Sequence, residues 1–254
     1  MLTKRIKVTE MKKYHIEKNS VQETLVIPLY GRKVCRDHFP QLFEDREAER
    51  ICSMLDYDFR EKGKAMESMA GLFGALEVAQ RHYDLLWEIR DYLKKHPEAA
   101  VVNLGCGLDD SFAKADNGQC CGYNIDFPEV IAIRNELLGQ RQRETNIGCD
   151  LNDQRWMDQI DGRNGAIFFA AGVFYYLKTA EVIALTERLN ARFPKGLAEV
   201  SAVHTAVVRK AGHQLGLPDD GAPLRQADKA GGAGADALHR DSTGVILLYV
   251  YTWG

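Results

Sequence analysis

Four short stretches carry residue types able to handle a nucleotide-like ligand, and they follow one another in order along the chain. The first is Val101-Val102-Asn103-Leu104-Gly105-Cys106-Gly107-Leu108-Asp109, where a run of strand formers stops at two glycines spaced by one residue. Glycine there accepts dihedrals that a Cβ would forbid and lets a ligand approach the main chain. The second is Asp126, 19 residues beyond Gly107, a separation at which an acid can accept from both hydroxyls of a ribose. The third is Asp150-Leu151, where a carboxylate can accept from an adenine amino group while a backbone N–H serves a ring nitrogen. The fourth is Ala171-Gly172, which leaves room beside a reacting centre. Asp110 stands where a dinucleotide fingerprint would need its third glycine. The turn therefore suits a cofactor with no pyrophosphate to hold, such as S-adenosylmethionine (SAM). The first three stretches also have a plain reading: a tight turn for the glycines, and a helix cap for Asp126 ahead of Pro128 and for Asp150.

Those stretches need strands to deliver them, and the pattern from residue 99 onward supplies strand, turn and helix in alternation. Strands are expected over 101–104, 121–125, 145–149, 166–171 and 197–203. Helices are expected over 129–138, with Pro128 as first residue, and from a Thr179 cap to Phe193, with a short helical segment around Trp156. This alternation predicts an α/β fold, a Rossmann-like open and mostly parallel sheet with helices on both faces. An N-terminal helical cap precedes it. Residues 1–19 read as a solvated arm, and Pro28 predicts two short pieces or a kink within 20–34. An amphipathic helix is expected over 44–55, with Ala48, Ile51 and Leu55 inward. A long helix follows over 66–95, its inward stripe being Leu72, Leu76, Ala79, Tyr83, Leu86, Ile89 and Leu93, and His96-Pro97 ends it. The expected division is a cap at 1–97 and a core at 98–254. Within that core 204–254 is atypical: 213–243 is rich in Gly, Ala, Asp and Pro, and 245–252 reads as a closing strand.

With 27% charged residues and a net charge of -3, composition gives no argument for a nucleic-acid or anionic-membrane partner. No apolar run approaches a membrane span, and no signal peptide is visible at the N-terminus. The six cysteines form no C-x-x-C pair, which favours reduced thiols over a metal or redox centre. The expectation is a cytoplasmic protein with a small-molecule partner, no nucleic acid, no membrane and no metal.

In their order, several motifs resemble the family of SAM-dependent O-methyltransferases that includes leucine carboxyl methyltransferases and bacterial polyketide-type O-methyltransferases. They are Ser20–Arg32 (SVQETLVIPLYGR), Ala79–Arg81 (AQR), Val101–Asp109 (VVNLGCGLD), Asp126–Pro128 (DFP), Cys149–Asp153 (CDLND) and Ala171–Leu177 (AGVFYYL). The resemblance implies a class I SAM methyltransferase type of fold and SAM as cofactor. It implies that Arg81 pairs with the methionine carboxylate, a task suited to a forked guanidinium. Gly105 and Gly107 would pass the methionine moiety, Asp126 would hold the ribose, and Asp150 with Leu151 would frame the adenine. Tyr30 and Arg32 match a segment that closes over the pocket, and Tyr176 matches a pocket tyrosine. The plain alternatives are a solvated charge for Arg81, core packing for Tyr30, packing against the helix that follows for Tyr176, and a surface charge for Arg32.

Two departures stand out. Ala171 occupies a place where many members carry Glu, with Asp109 available as a substitute acid, and the match fades from about Leu197. The reading is a SAM-dependent methyltransferase acting on a hydroxyl or carboxylate oxygen of a small-molecule or polyketide-like acceptor. The alternative is a degenerate, non-catalytic member that binds SAM or a partner. An NAD(P) oxidoreductase is disfavoured by the missing third glycine and the lack of a Ser/Tyr-x-x-x-Lys pattern. Nucleic-acid methylation would call for an N-P-P-Y-like motif after the fourth strand. No catalytic residue is assigned, because the candidate base His204 lies where the resemblance has ended.

Overall fold

In the computed structural model the described residues are 13–18, 20–193, 196–202 and 246–250. The chain packs as two compact units, Met1–Ala79 and Gln80–Gly254, and the boundary falls inside one helix.

The first unit is built from strands β1 (Tyr14–His15) and β2 (Leu55–Asp56), helices α1 (Val21–His38), α2 (Arg46–Met54) and α3 (Arg60–Met66), and the start of α4 (Met69–Lys95). Part of the expected solvated arm is structured. Tyr14–His15 pairs in parallel with Leu55–Asp56, and Ile16 beside it is only 1% exposed. The rest of that arm, 1–12 and residue 19, lies outside the described residues. The break expected at Pro28 does not occur, since α1 runs through it as one helix of 18 residues. Pro28 lies on the exposed side, whereas Val26, Leu29, Val34 and Cys35 are buried. Burial of that stripe outweighs the lost backbone hydrogen bond. Ala48, Ile51 and Leu55 are buried as expected.

The second unit is organised by a six-stranded sheet. Strands β3 (Ala100–Leu104), β4 (Cys121–Asp126), β5 (Glu144–Gly148), β6 (Ala166–Ala171), β7 (Gly196–Ala202) and β8 (Ile246–Val250) lie in the order β5-β4-β3-β6-β7-β8. All of its ladders are parallel. Numbered within the sheet this is 3-2-1-4-5-6, the doubly wound order, whose reversal between β3 and β6 opens a crevice at the strands' carboxyl ends. Helices α5 (Ser111–Ala115), α6 (Pro128–Leu137) and α7 (Thr179–Arg192) complete the unit, with 3-10 turns at Gln154–Gln159 and Phe174–Tyr176. The predicted open parallel α/β sheet is what forms.

Alternation within each strand gives the sheet two apolar faces. Ala100, Val102, Leu104, Phe168 and Ala170 join one core with Ile125, Trp156, Leu185 and Leu189. Val101, Ile167 and Phe169 join another with Leu85, Leu86, Ile89 and Leu93 of α4. Tyr83, expected on the inward stripe of α4, is 43% exposed. The expected Thr179 cap shifts by one residue, because Lys178 is the N-cap and its backbone N–H donates to Glu181 Oε2 at 2.7 Å, half of a capping box. Residues 203–245, including His204, lie outside the described residues. Among the described residues no helix is long and apolar enough to cross a membrane.

Gly122 of β4 shows how tightly this sheet is covered. A Cβ there would stand 2.5 Å from Cγ of Phe112 on α5. Gly122→Ala should lower unfolding stability by about 1–3 kcal/mol through overpacking, read from urea denaturation. In a Phe112→Leu background the same substitution should cost less than about 1 kcal/mol, because the obstructing ring is gone.

Candidate active site

β3 delivers the glycine turn to the edge where the strand order reverses. Gly105 has φ 65° and Gly107 φ 48°, the left-handed region in which a Cβ is strained. A Cβ on Gly105 would also stand 2.4 Å from Cγ2 of Val173, just beyond β6. The N–H groups of Gly105 and Cys106 both donate to the Ile125 carbonyl, at 2.8 and 3.0 Å. The Gly107 N–H donates to Asp126 Oδ2 at 2.8 Å, and Asp126 Oδ1 accepts from the Phe127 N–H at 2.8 Å. Asp126 is therefore part of the turn's own scaffold, bonded to the residue after it as well as to Gly107. Burial pushes the Cys106 thiol far above its ordinary value, so it is a small apolar filler of the turn.

The ends of three neighbouring strands are held together here. The Cys149 N–H donates to the Asp126 carbonyl at 2.8 Å, which brings Asp150-Leu151 beside Asp126. Asp150 is exposed. Its Oδ1 accepts from the Asn152 N–H at 2.8 Å, while its Oδ2 has no hydrogen-bond partner among the described residues. Capping of the following 3-10 turn falls instead to Asp153, which accepts from the Arg155 N–H at 3.1 Å. Leu151 is buried in the core beneath, and its carbonyl accepts from Trp156 Nε1 at 3.2 Å. Gly105, Gly107, Asp126, Asp150 and Leu151 thus share one sheet edge.

The remaining sequence candidates are carried by other elements or do other work. Arg81 is half-buried on α4, within the second unit. Ala171 is exposed at the end of β6. Asp109 does not stand free as its substitute: Oδ2 accepts from Asn103 Nδ2 and the Ser111 N–H, both at 3.0 Å, and Oδ1 accepts from Ser111 Oγ at 3.0 Å. Tyr176 is 55% exposed in the turn after β6. In the first unit Tyr30 stacks on Phe59 with centroids 4.7 Å apart. Arg32, far from being a surface charge, is buried and paired with Asp45 at 3.1 Å, and Asp45 in turn caps α2 through the Ala48 N–H at 2.9 Å.

A polar network beneath the turn has no counterpart in the sequence reading. Arg134 of α6 is 2% exposed and Glu144 of β5 is 5% exposed; Arg134 Nη2 donates to Glu144 Oε1 at 3.0 Å. Arg134 Nη1 donates to the carbonyls of Gly107 and Asp109, at 3.1 and 2.5 Å. Arg134 Nε reaches Asn146 Oδ1 at 3.3 Å. Asn124 Nδ2 donates to Glu144 Oε1 at 2.6 Å and to Asn146 Oδ1 at 2.9 Å. Asn103, Asn124 and Asn146 are register partners across β3, β4 and β5. The available signal was Arg134 itself. It lies four residues after Val130 and three before Leu137, on the apolar side of a helix, and a charge there demands a buried partner.

The sequence profile of the leucine carboxyl methyltransferase family matches residues 29–190, well over half of the chain. The chain belongs to that family. Tetracenomycin polyketide synthesis O-methyltransferase TcmP of Streptomyces glaucescens is 28% identical over 190 residues, spanning 74% of this chain and 68% of that protein. Among solved structures, the N-methyltransferase NodS from Bradyrhizobium japonicum WM9 with S-adenosylhomocysteine (SAH) aligns at TM-score 0.41 and 15% identity. That alignment covers 61% of this chain and 77% of NodS. The mitomycin 7-O-methyltransferase MmcR aligns at TM-score 0.38 and 12% identity, covering 78% of this chain and 63% of that one. In this family member the matched span contains the glycine turn, Asp126, Asp150 and the Arg134 network, and it stops short of β7 and β8.

Burial raises the Asp126 carboxyl above its ordinary value, and this outweighs the opposing pull of the Gly107 and Phe127 N–H groups and of Arg134. A group raised on folding contributes its full stability below the unfolded value, and the contribution is lost as pH rises through the folded value. Asp126→Asn carries no such ionisation, although it forfeits one acceptor. Its stability relative to the wild type should therefore improve as pH rises from about 4, the ordinary carboxyl value, through the raised folded value, measured by urea unfolding. A difference that stays flat across that range would contradict the raised value.

Proposed function

We propose that this member transfers the methyl group of SAM to an oxygen of a small-molecule, polyketide-like acceptor, a hydroxyl or a carboxylate. The observation that carries the reading is the coupling of Asp126 to the glycine turn. The carboxylate accepts one N–H on each oxygen, and a carboxylate has about four acceptor positions in all. The remaining positions suit two ribose hydroxyls. The unused Oδ2 of Asp150 suits an adenine amino group, and Leu151 supplies the apolar floor. Gly105 and Gly107 let the methionine moiety run along bare backbone, and Arg81 grips its carboxylate with two parallel donors. The donor set and the lack of a third glycine fit an adenosyl group without pyrophosphate.

SAM, when bound, supplies an electrophilic methyl group on a sulfonium. The residues of this chain hold the donor, orient it for in-line displacement and exclude water, effects that supply much of such an acceleration. Tyr176, exposed beyond β6, is the residue we assign to the acceptor pocket. A carboxylate acceptor is already ionised and needs no base, whereas a hydroxyl acceptor gains from one. TcmP, by its name a polyketide O-methyltransferase, supports oxygen over nitrogen as the acceptor atom.

Isothermal titration of the purified chain with SAM and SAH tests the cofactor site. Asp126→Ala and Arg81→Ala should each weaken binding by about 1–3 kcal/mol, the effect of losing a charge-assisted hydrogen bond. SAH affinity should also rise with pH through the raised Asp126 value, since the ionised form is the better acceptor, and Asp126→Asn should abolish that dependence. Turnover of labelled SAM with a panel of phenolic and carboxylate polyketides tests the reaction. Binding with no turnover on any of them would favour the non-catalytic alternative, which the exposed Ala171 supports.

A further inference from the structure

The Gly107 peptide groups are gripped from two sides. The N–H goes to Asp126 Oδ2 at 2.8 Å and the carbonyl to Arg134 Nη1 at 3.1 Å. The same Nη1 holds the Asp109 carbonyl at 2.5 Å, so one guanidinium spans the turn from its second glycine to the residue before Asp110. Arg134 is itself fixed, because Nη2 is bonded to Glu144 Oε1 at 3.0 Å and Nε to Asn146 Oδ1 at 3.3 Å. Glu144 is steadied in turn by Asn124 Nδ2 at 2.6 Å. Every arm of the fork thus has a partner, either a strand side chain or a turn carbonyl. Such an arrangement fixes a loop before anything binds, and a lysine, with one point charge, could not reproduce it.

We propose that Arg134 is a positioning residue for the adenosyl site: anchored on Glu144, it presets the glycine turn by holding the carbonyls of Gly107 and Asp109. The proposal rests on the reading that this turn binds SAM. A turn set in advance spares the ligand the ordering cost that it would otherwise meet on binding. Arg134 also acts on Asp126 through space, since its positive charge favours the ionised carboxylate against the opposing effect of burial. The residue reaches the ligand only through the turn and through Asp126, and no contact of its own with the ligand is required.

The test is SAH titration, by calorimetry across a pH series, of the wild type, Arg134→Lys, Glu144→Gln and the doubly substituted Arg134→Met/Glu144→Leu, with melting temperatures alongside. Arg134→Lys keeps the charge beside Glu144 and loses the fork. It should bind SAH at least roughly tenfold more weakly, with the pH midpoint of binding unchanged. Glu144→Gln keeps the fork and should bind within about threefold of the wild type, even where it melts as low as the lysine variant. The double variant replaces the buried pair by apolar groups of similar volume, an exchange that folded proteins tolerate, and it serves if Arg134→Lys does not fold. It should lose affinity at least as strongly, and its pH midpoint should move upward because the charge is gone. Losses that simply track melting temperature across all three variants, or no loss in the folded Arg134 variants, would overturn the proposal. Failure of the wild type to bind SAH would instead overturn the cofactor reading itself.

Discussion

A buried guanidinium is costly unless its nitrogens find acceptors, and each of the three nitrogens of Arg134 has at least one. Removing an ion from water costs several kcal/mol even after relaxation. Glu144 offsets the charge, Asn146 takes Nε, and two turn carbonyls take Nη1. The asparagines of β3, β4 and β5 fall into line because of this. Asn124 and Asn146 complete the hydrogen bonding of the pair, and Asn103 steadies Asp109 at the far end of the turn. A half-satisfied network of this kind would be worse than an apolar core. Here each side chain has at least one partner.

The same face of the sheet is therefore divided along the strands. Toward their amino ends it is apolar, where Val101 and Ile167 meet Leu85, Leu86 and Ile89 of α4. Toward the carboxyl ends of β3, β4 and β5 it is polar, where Asn103, Asn124 and Asn146 lie in register and support the turn, while Phe169 of β6 stays in the apolar core. The opposite face is apolar along much of its length, filled by Trp156, Phe168, Leu185 and Leu189. A rigid hydrophobic base and a hydrogen-bonded rim suit an open parallel sheet, whose ligands gather at the carboxyl edge. Gly105 lies at the reversal of strand order, and Val173 fills the space that any Cβ there would need. The missing Cβ of Gly105 is thus taken up by close packing between the turn after β3 and the segment after β6.

The first unit solves a similar problem on a smaller scale. Arg32 and Asp45 are both buried and paired, and Asp45 also caps α2. One carboxylate serves an ion pair and a helix terminus together, which reduces the number of buried polar groups that need separate partners. Around it the unit relies on apolar contacts of α1 and α4, where Val34, Cys35, Ala75 and Ala79 form a core with Phe43.

The features legible in the sequence by itself were those set by near neighbours along the chain. Short runs of strand formers announced the strands, positive φ required glycine at 105 and 107, Pro128 opened α6, and Asp126 fell at the end of β4 where the spacing put it. The order of the motifs was enough to suggest the family. What only the tertiary structure decided were matters of partnership. Arg134 finds Glu144 ten residues on and Gly107 27 residues back, and no local rule relates those separations, because they depend on which strands lie side by side. The continuity of α1 across Pro28, the pairing of β1 with β2 and the burial of Arg32 were settled in the same way. Local propensity fixes the conformations a segment prefers, but the environment each side chain meets depends on long-range packing, and for a buried charge that environment decides both its cost and its role.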